Sequence, residues 1–320
     1  MKIKYRALTI FLVIVIVAVL ASVIIFWIKF DLPRLIRLRR LSYLYELDKN
    51  YQFKKHAAVP SPFKIIVSLT TIPDRLPHLY PALSSILDQS VSVDAIHLNL
   101  PRISRKGKPY VAPDWLLKLK NVKLVWLDKD YGPASKLIPS LQSEFFTTRI
   151  VVMDDDNLYH YRTIERLIRD FEKRNKDCQT HPQYAVSTFG VKLNCHGRLP
   201  GFSDWDRVSL LIKPATRVDH LQGCFGFVVT PSMFPPQVFD QDAAPDCVKS
   251  VDDVWFSSWL ALYDIEIWTL DYSFWIVPFH DWGDVNYTPR LFDGENKGFI
   301  PEHKTLEWFE QTQGYKCLRC

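Results

Sequence analysis

The chain has 320 residues, of which 48% are hydrophobic, 14% are aromatic and 11 are glycine. This composition excludes disordered and collagen-like proteins, and the length suits one large or two small domains with an ample core. The net charge is +5, but residues 1–40 hold eight Lys and Arg against one Asp. The other 280 residues therefore carry 32 basic and 34 acidic side chains. Without an excess of positive charge, the body is not expected to bind nucleic acid.

The first element in chain order is an apolar segment, residues 7–28, which reads ALTIFLVIVIVAVLASVIIFWI and carries no charge. A helix of this length crosses a bilayer core of roughly 30 Å. The segment ends in Phe26, Trp27 and Lys29, which is typical of an interfacial anchor and not of a signal-peptide cleavage site. We therefore predict a short N-terminal tail, residues 1–6, and a retained transmembrane helix, residues 7–28, embedded in the lipid bilayer.

Basic residues flank both ends of this segment, with Lys2, Lys4 and Arg6 before it and a larger group after it. Their count favours a cytoplasmic C-terminal body, whereas a Golgi-type enzyme needs the opposite topology. Residues 29–62 are predicted to be a stem, either an amphipathic helix near the membrane surface or a plain spacer. We expect a single-pass membrane protein. Its catalytic domain would be luminal in the Golgi or ER of a eukaryote, or would face the cytoplasm at a bacterial inner membrane.

From residue 63 onward, short apolar runs alternate with helix-like segments, a pattern that predicts an α/β sheet with crossover helices. The predicted strands cover residues 63–69, 94–100, 122–127, 149–153, 185–189, 223–229 and 265–270. The predicted helices cover residues 78–89, 135–146 and 161–175. We assign one domain to residues 63–290 and a C-terminal tail to residues 291–320.

Three carboxylates, Asp154, Asp155 and Asp156, follow the apolar run RIVVM. Ligands of open α/β sheets bind at the carboxyl ends of the strands, so side chains there are candidates for a site. Clustered carboxylates repel one another unless a cation compensates, and Mg²⁺ and Mn²⁺ prefer such oxygen ligands. The alternative is that Asp156 and Asn157 serve only as turn or cap residues before the next helix.

Further blocks accompany the acidic cluster in a fixed order: VSLTTIPDRL at 67–76, DYGPASK at 130–136, VVMDDDNLY at 151–159, VDHLQGCFGF at 218–227 and SVDDVWFS at 250–257. With these blocks, residues 64–260 resemble the GT-A glycosyltransferases and, more narrowly, a poorly characterised family of them. The resemblance implies an α/β, Rossmann-like nucleotide-diphospho-sugar transferase domain behind the membrane helix. It also implies a nucleotide-sugar donor, a glycan, lipid-linked or protein acceptor, and Mn²⁺ or Mg²⁺ as cofactor.

The resemblance implies that the nucleotide lies against the loop containing Thr70, Thr71 and Arg75. An arginine there can pair with phosphate or stack on a base, although a solvated loop charge is the simpler explanation. Lys136 follows a Gly-Pro turn at a predicted helix start, where its ammonium could face a diphosphate. The alternative for Lys136 is an ordinary lysine in the first turn of a helix. Asp154 and Asp155 complete the polar part of the implied nucleotide-sugar site.

The resemblance further implies that Asp154 and Asp156 hold the metal, with His280 as a third ligand or else a structural histidine. Gln222 and Gly223 are expected to form a wall of the sugar pocket, since small residues permit close approach; the alternative is a glycine-marked buried strand.

The resemblance also places an acidic residue near the acceptor hydroxyl, and Asp253, beside Asp252, would supply it as the general base of an inverting enzyme. Two aspartates at a helix start are also what capping and the helix dipole select without any chemistry.

The sequence therefore predicts an enzyme that transfers a glycosyl group to an acceptor hydroxyl. One rival is a glycoside hydrolase that pairs Asp154 or Asp156 with Asp253. Another is a non-catalytic membrane protein that uses the same fold as a binding module. The six cysteines suit either disulfides in a secretory lumen or buried thiols in a reducing compartment.

Overall fold

The computed structural model describes the following parts of the chain: residues 10–23, 61–157, 159–193, 214–223, 226–271 and 300–315. Contacts divide the chain into two compact units, Met1–Tyr51 and Gln52–Cys320.

In the first unit, residues 10–23 form helix α1. This helix lies within the predicted transmembrane segment, whose residues 7–9 and 24–28 are outside the described ranges, as is most of the predicted stem. Among the described residues, no helix is both long enough and apolar enough to cross a membrane.

The second unit is a mixed α/β structure built on a mostly parallel sheet. Its strands are β1 Ile65–Thr70, β2 Ala95–Pro101, β3 Val122–Leu127, β4 Arg149–Val152, β5 Tyr184–Ser187, β6 Gly190–Val191, β7 Arg217–Val218, β8 His220–Leu221, β9 Phe227–Val229 and β10 Glu266–Thr269. The helices of this unit are α2 Tyr80–Leu87, α3 Asp114–Leu117, α4 Ile138–Ser143, α5 Thr163–Arg174, α6 Asp252–Leu262 and α7 Ile300–Thr312. Short 3₁₀ turns at Leu76–His78, Gly132–Lys136 and between residues 231 and 250 connect them.

The main sheet has the strand order β3-β2-β1-β4-β9-β5-β10-β7, and β6 pairs with β8 in a separate two-stranded sheet. Strands β1 to β4 are mutually parallel, and β5 is parallel to β10. Strand β9 runs antiparallel between β4 and β5. Consequently the carboxyl ends of β1 to β5 and β10 lie along one edge of the sheet, and the residues preceding β9 lie at that same edge.

The burial pattern explains these elements. Strands β1 and β4 are almost continuously buried, as expected for parallel strands covered on both faces, whereas the edge strand β3 is partly exposed. Helix α5 buries Ile164, Leu167, Ile168 and Phe171, which form one apolar stripe at helical spacing.

The observed bounds of one strand and one helix differ clearly from the predicted bounds. The predicted strand 223–229 begins only at Phe227, because the N–H of Gly223 donates to the Asp253 carboxylate (3.0 Å) and is not part of a strand ladder. The predicted helix 135–146 divides into a 3₁₀ turn and the shorter α4, which ends at Ser143.

Helix α7 lies in the predicted tail and was not predicted, since polar residues interrupt its apolar pattern. The rings of Trp308 and Phe309 lie 5.7 and 5.2 Å from the ring of Trp255 in α6. The predicted domain boundary at residue 290 falls outside the described residues.

A buried ion pair fixes the beginning of β4. Arg149 is fully buried, and its guanidinium donates to both oxygens of Glu172 (2.9 and 3.2 Å) and to the carbonyls of Thr147 and Gln179. Its guanidinium carbon also lies 4.0 Å from the centre of the Phe63 ring. Removing Glu172 would leave this charge buried with only carbonyl partners.

We expect Glu172→Ala to lower the free energy of unfolding by about 3 kcal/mol, since an uncompensated buried charge is strongly destabilising. Denaturant unfolding of the purified chain, followed by tryptophan fluorescence, measures the change. The matched control is Glu307→Ala on the exposed face of α7, for which a change within about 0.5 kcal/mol is expected. Equal effects of the two substitutions would contradict the importance of the pair.

Candidate functional site

Charged side chains converge at the carboxyl edge of the sheet around the ammonium of Lys136. This nitrogen lies 2.9 Å from Oδ1 of Asp154, 2.9 Å from Oδ2 of Asp252 and 3.6 Å from Oδ1 of Asp253. The aspartates come from the end of β4 and the first turn of α6, so one buried lysine joins segments that are about 100 residues apart in sequence. The Lys136 side chain is only 5% exposed, so we expect a strong electrostatic interaction between its ammonium and these carboxylates.

The backbone of Lys136 is held in place by a buried polar network. Its carbonyl accepts a hydrogen bond from Ser68 Oγ (2.6 Å) in β1, and that hydroxyl also contacts Ser140 Oγ (2.7 Å). Asn99 in β2 donates its amide to the same Ser68 oxygen (3.0 Å). The lysine is therefore fixed from the sheet below as well as by the carboxylates around its ammonium.

The loop before Lys136 needs a glycine. Gly132 has φ +61°, and a Cβ there would lie 2.6 Å from the carbonyl oxygen of Lys249. Its N–H donates to Asp130 Oδ1 (2.7 Å), and the Tyr131 N–H donates to Ser135 Oγ (3.1 Å). This turn conformation is open to glycine at little cost and strained for other residues.

Gly223 lies directly against the carboxylate cluster. A Cβ at this position would collide with the Lys136 ammonium and would lie 2.8 Å from Asp253 Oδ1. Its N–H donates to the other carboxylate oxygen of Asp253 (3.0 Å). This close approach leaves no room for a side chain at position 223. Gln222 is half-buried beside it, and its N–H donates to the carbonyl of Phe189 (3.0 Å).

The two aspartates of α6 are not side-chain caps of the helix, since the capping position is Val251 and it makes no side-chain cap bond. They point instead to Lys136. Ser257, one turn further along α6, donates to the carbonyl of Asp253 (2.6 Å) and accepts the N–H of Leu221 in β8 (3.1 Å). This hydroxyl, which the sequence analysis did not select, ties the beginning of α6 to β8.

A second charged group adjoins the first. Arg75 Nη1 lies 2.8 Å from Asp155 Oδ1 and 3.1 Å from Asp156 Oδ2. Thr71 Oγ1 donates to the other oxygen of Asp155 (2.5 Å). The Arg75 side chain is therefore paired and largely buried, not a solvated loop charge. Thr70 turns to the sheet, where its hydroxyl donates to the carbonyl of Asn99 (2.7 Å).

Two tyrosines support this edge and were not selected as site residues. Tyr159 Oη accepts the backbone N–H of Asp154 (2.6 Å), and Tyr110 Oη donates to the carbonyl of Thr71 (3.0 Å). Burial, with help from the charges of Asp130 and Asp155, raises the pKa of Tyr110. Tyr159 lies within the VVMDDDNLY block, five residues after Asp154.

The electrostatics of the site follow from burial and proximity. Burial opposes the charge of Lys136, but Asp154, Asp252 and Asp253 outweigh it and raise the pKa of this lysine well above its usual value. Burial is also the main reason that the pKa of Asp252 is raised and that the pKa of Asp253 is raised to about 7, against the opposing effect of Lys136. Asp253 therefore changes protonation near neutral pH.

The residues present have the chemistry that a divalent cation needs. Asp154 and Asp156 offer carboxylate oxygens, and Asp156 is the most exposed of the three cluster aspartates, with 37% of its side chain accessible. Within the described ranges, however, no three His, Cys, Asp or Glu side chains surround a common point suited to a metal. Mg²⁺ commonly takes only one or two protein carboxylates together with substrate phosphates and waters, so this donor set fits. His280 lies outside the described residues.

Comparisons with known proteins find structural matches at low sequence identity. No family model matches the chain, and no curated protein is significantly similar in sequence. Among solved structures, residues 1–349 of S. aureus TarS match with a TM-score of 0.38 and 16% identity, over 66% of this chain and 58% of that one. The same TarS fragment in complex with UDP gives 0.40 and 16%, over 65% and 58%.

The mannosyltransferase PcManGT from Pyrobaculum calidifontis, in complex with GDP-Man and Mn²⁺, matches with a TM-score of 0.40 and 14% identity, over 78% of this chain and 65% of that one. This chain therefore spans less than two thirds of the length of each of these proteins.

The protonation of Asp253 gives a testable pH dependence. Its native pKa of about 7 exceeds the unfolded value of about 4, so its contribution to stability is complete below about pH 4 and is lost as the pH rises through about 7. Relative to the wild type, Asp253→Asn should therefore gain free energy of unfolding between about pH 4 and 7 and then level off. Denaturant unfolding at several pH values measures this difference. The control Asp128→Asn, at an exposed position, should give a constant difference, and a flat curve for Asp253→Asn would contradict the raised pKa.

Proposed function

We propose that the protein is a membrane-anchored glycosyltransferase that moves a sugar from a nucleotide-diphosphate donor to an acceptor hydroxyl with the help of a divalent cation. The observation that carries this proposal is the convergence of Lys136, Asp154, Asp252 and Asp253 at the carboxyl edge of a parallel sheet. That edge is where α/β folds bind nucleotides. The resemblance of the ordered sequence blocks to GT-A glycosyltransferases supports the same function.

Each charged group has a role in this reaction. Asp154 and Asp156 would hold Mn²⁺ or Mg²⁺, which when bound neutralises the negative charge of the departing diphosphate. Thr71 and Arg75 fix Asp155 so that the cluster keeps its shape. Three carboxylates engage the ammonium of Lys136, so a diphosphate must compete with them for it.

Asp253 is the proposed general base, with Asp252 beside it. With a pKa of about 7 it is partly deprotonated at neutral pH and can accept the proton of an acceptor hydroxyl. The hydrogen bond from the Gly223 N–H holds one of its oxygens and so orients the carboxylate. A base in this position corresponds to an inverting reaction.

A glycoside hydrolase that pairs Asp154 with Asp253 is less consistent with the geometry. It requires open space between two carboxylates for the glycosidic bond and, in an inverting enzyme, for water. Asp154 and Asp253 instead contact the same ammonium, at 2.9 and 3.6 Å, so the lysine takes up that space.

The membrane anchor in this proposal rests on the uncharged residues 7–28. We propose a single-pass protein whose second unit faces the cytoplasm, because the count of flanking basic residues favours that side. A luminal domain in the ER or Golgi is the alternative topology for a eukaryotic protein.

Nucleotide binding tests the transferase directly. We expect UDP, GDP, ADP or CDP to raise the unfolding temperature of the purified chain only when Mn²⁺ is also present, since ligands that bind the native state stabilise it by mass action. Asp156→Asn should abolish the metal-dependent part of the shift, and Asp128→Asn should retain it. The absence of a shift with all four nucleotides would favour the hydrolase or the binding module.

The role of Asp253 has its own kinetic test. We expect Asp253→Asn to lower kcat by about 10²–10⁴-fold, because a positioned base contributes by that amount, while nucleotide binding is retained. Release of the nucleoside diphosphate from the matching sugar donor, with a panel of sugar acceptors, measures the rate. Wild-type kcat should rise as the pH passes through about 7, when the carboxylate loses its proton. An unchanged kcat in the variant would remove Asp253 from the mechanism.

A further inference from the structure

Residues 221–223, which lead out of β8, are joined at two points to the first turns of α6. The N–H of Leu221 donates to Ser257 Oγ (3.1 Å), and the N–H of Gly223 donates to Asp253 Oδ2 (3.0 Å). Ser257 Oγ in turn donates to the backbone carbonyl of Asp253 (2.6 Å). The three hydrogen bonds and the two stretches of chain form a closed ring that contains the proposed base.

The two sides of this ring have matching lengths. Asp253 and Ser257 are four residues apart in a helix, a distance of about 6 Å along its axis. Leu221 and Gly223 are two residues apart, and two residues of extended chain cover about 6.6 Å. The segment can therefore bond to both ends of one helical turn at the same time, and each bond fixes the place of the other.

The Asp253 carboxylate has few other partners. Its Oδ1 lies 3.6 Å from the Lys136 ammonium, and its Oδ2 accepts the N–H of Gly223. Among the residues that the structure describes, no other group forms a hydrogen bond or an ion pair with this carboxylate. The orientation of Asp253 therefore depends on where the Gly223 N–H lies, and Ser257 holds the same segment two residues earlier.

The hydroxyl of Ser257 is not explained by the helix itself. The residue is fully buried in the middle of α6, where alanine is a better helix former and a hydroxyl costs stability unless it is hydrogen-bonded. The next residue, Ser258, is equally buried, and its hydroxyl has no hydrogen-bond partner within the described ranges. Ser258 is therefore a matched control for the loss of a buried hydroxyl from the same helix.

We propose that Ser257 is a positioning residue for glycosyl transfer: its hydroxyl holds Leu221 against α6, so that the Gly223 N–H keeps the Asp253 carboxylate in the orientation of the base. This inference rests on the proposed role of Asp253 as the base. Without the hydroxyl, the buried N–H of Leu221 would lose its partner, a costly state that a shift of the segment relieves. Such a shift would move the Gly223 N–H away from Asp253.

The kinetic test compares Ser257→Ala with Ser258→Ala in the full chain. We expect Ser257→Ala to lower kcat by about 10-fold to 100-fold, since a small misplacement of a catalytic group has an effect of this size. Ser258→Ala should keep the wild-type kcat, because no hydrogen bond is lost. Release of the nucleoside diphosphate from the sugar donor measures both rates.

A double variant separates positioning of the base from a general structural role. Adding Ser257→Ala to Asp253→Asn should lower kcat no further, because the base that the hydroxyl would position is already absent. If Ser257 only supports the packing of α6 or the shape of the sugar pocket, its loss should lower kcat by the same factor in both backgrounds.

Hydrogen exchange at the Gly223 amide tests the same link without any substrate. We expect this amide to exchange faster in Ser257→Ala than in the wild type or in Ser258→Ala, because its hydrogen bond to Asp253 is weakened. Mass spectrometry of the exchanged chain measures the rates. If the alanine variant does not fold, Ser257→Cys provides the comparison, since a thiol fills the same place but accepts hydrogen bonds only weakly.

Three results would overturn the inference: a wild-type kcat in Ser257→Ala, an equal loss of kcat in both backgrounds, or unchanged exchange of the Gly223 amide. The proposed function fails in a different way. A wild-type kcat in Asp253→Asn would reject the base, and the role of Ser257 with it. A low kcat in Asp253→Asn together with a wild-type kcat in Ser257→Ala would reject only the positioning role.

Discussion

The ammonium of Lys136 is the centre on which the arrangement of the site depends. Asp154 ends a central strand and Asp252 and Asp253 begin α6, so their negative charges can share one place only because a cation lies between them. A buried charge pair of this kind contributes little net stability compared with apolar packing, yet breaking it leaves uncompensated charge and is costly. The glycine at 223 is a consequence of the same constraint, since any side chain there would displace the lysine or Asp253. The charges around Lys136 thus account both for the glycine at position 223 and for the position at which α6 begins.

The cluster around Lys136 places a cationic group and a carboxylate that could act as a base side by side. A nucleotide-sugar transferase needs a cationic region for the diphosphate and a base for the acceptor hydroxyl, and these normally neutralise each other when adjacent. Here burial keeps the pKa of Asp253 near neutrality although Lys136 lowers it, and the negative charges of Asp252 and Asp154 raise it further. Arg75 forms a second set of ion pairs, with Asp155 and Asp156. Burial and the neighbouring aspartates therefore set the protonation of the proposed base.

The sequence predicted the parallel strands well because each is an apolar run with turn residues at its ends. Residues 122–127 were predicted with the observed bounds of β3, and those of β1 and β4 were within two residues. The position of the acidic cluster at the edge of the sheet was also predictable, because the cluster directly follows the apolar run of β4. The contact between Lys136 and Asp252 was not predictable, because no local pattern relates residues so far apart. Helix α7 was missed because its buried face becomes recognisable only once Trp255 provides the surface on which it packs.

The near-neutral charge of the body says little about where its charged side chains lie. Counting charges along the chain gives a small negative balance, from which one infers only that nucleic acid is an unsuitable partner. A parallel sheet, however, sends the residues after its strands to one edge and those before them to the other, so residues close in sequence become separated in space. The aspartates that follow β4 and the aromatic pair that precedes it, Phe145 and Phe146, are only a few residues apart, yet they occupy opposite edges. Strand direction thus places the aspartate cluster at one edge of the sheet and an exposed aromatic pair at the other.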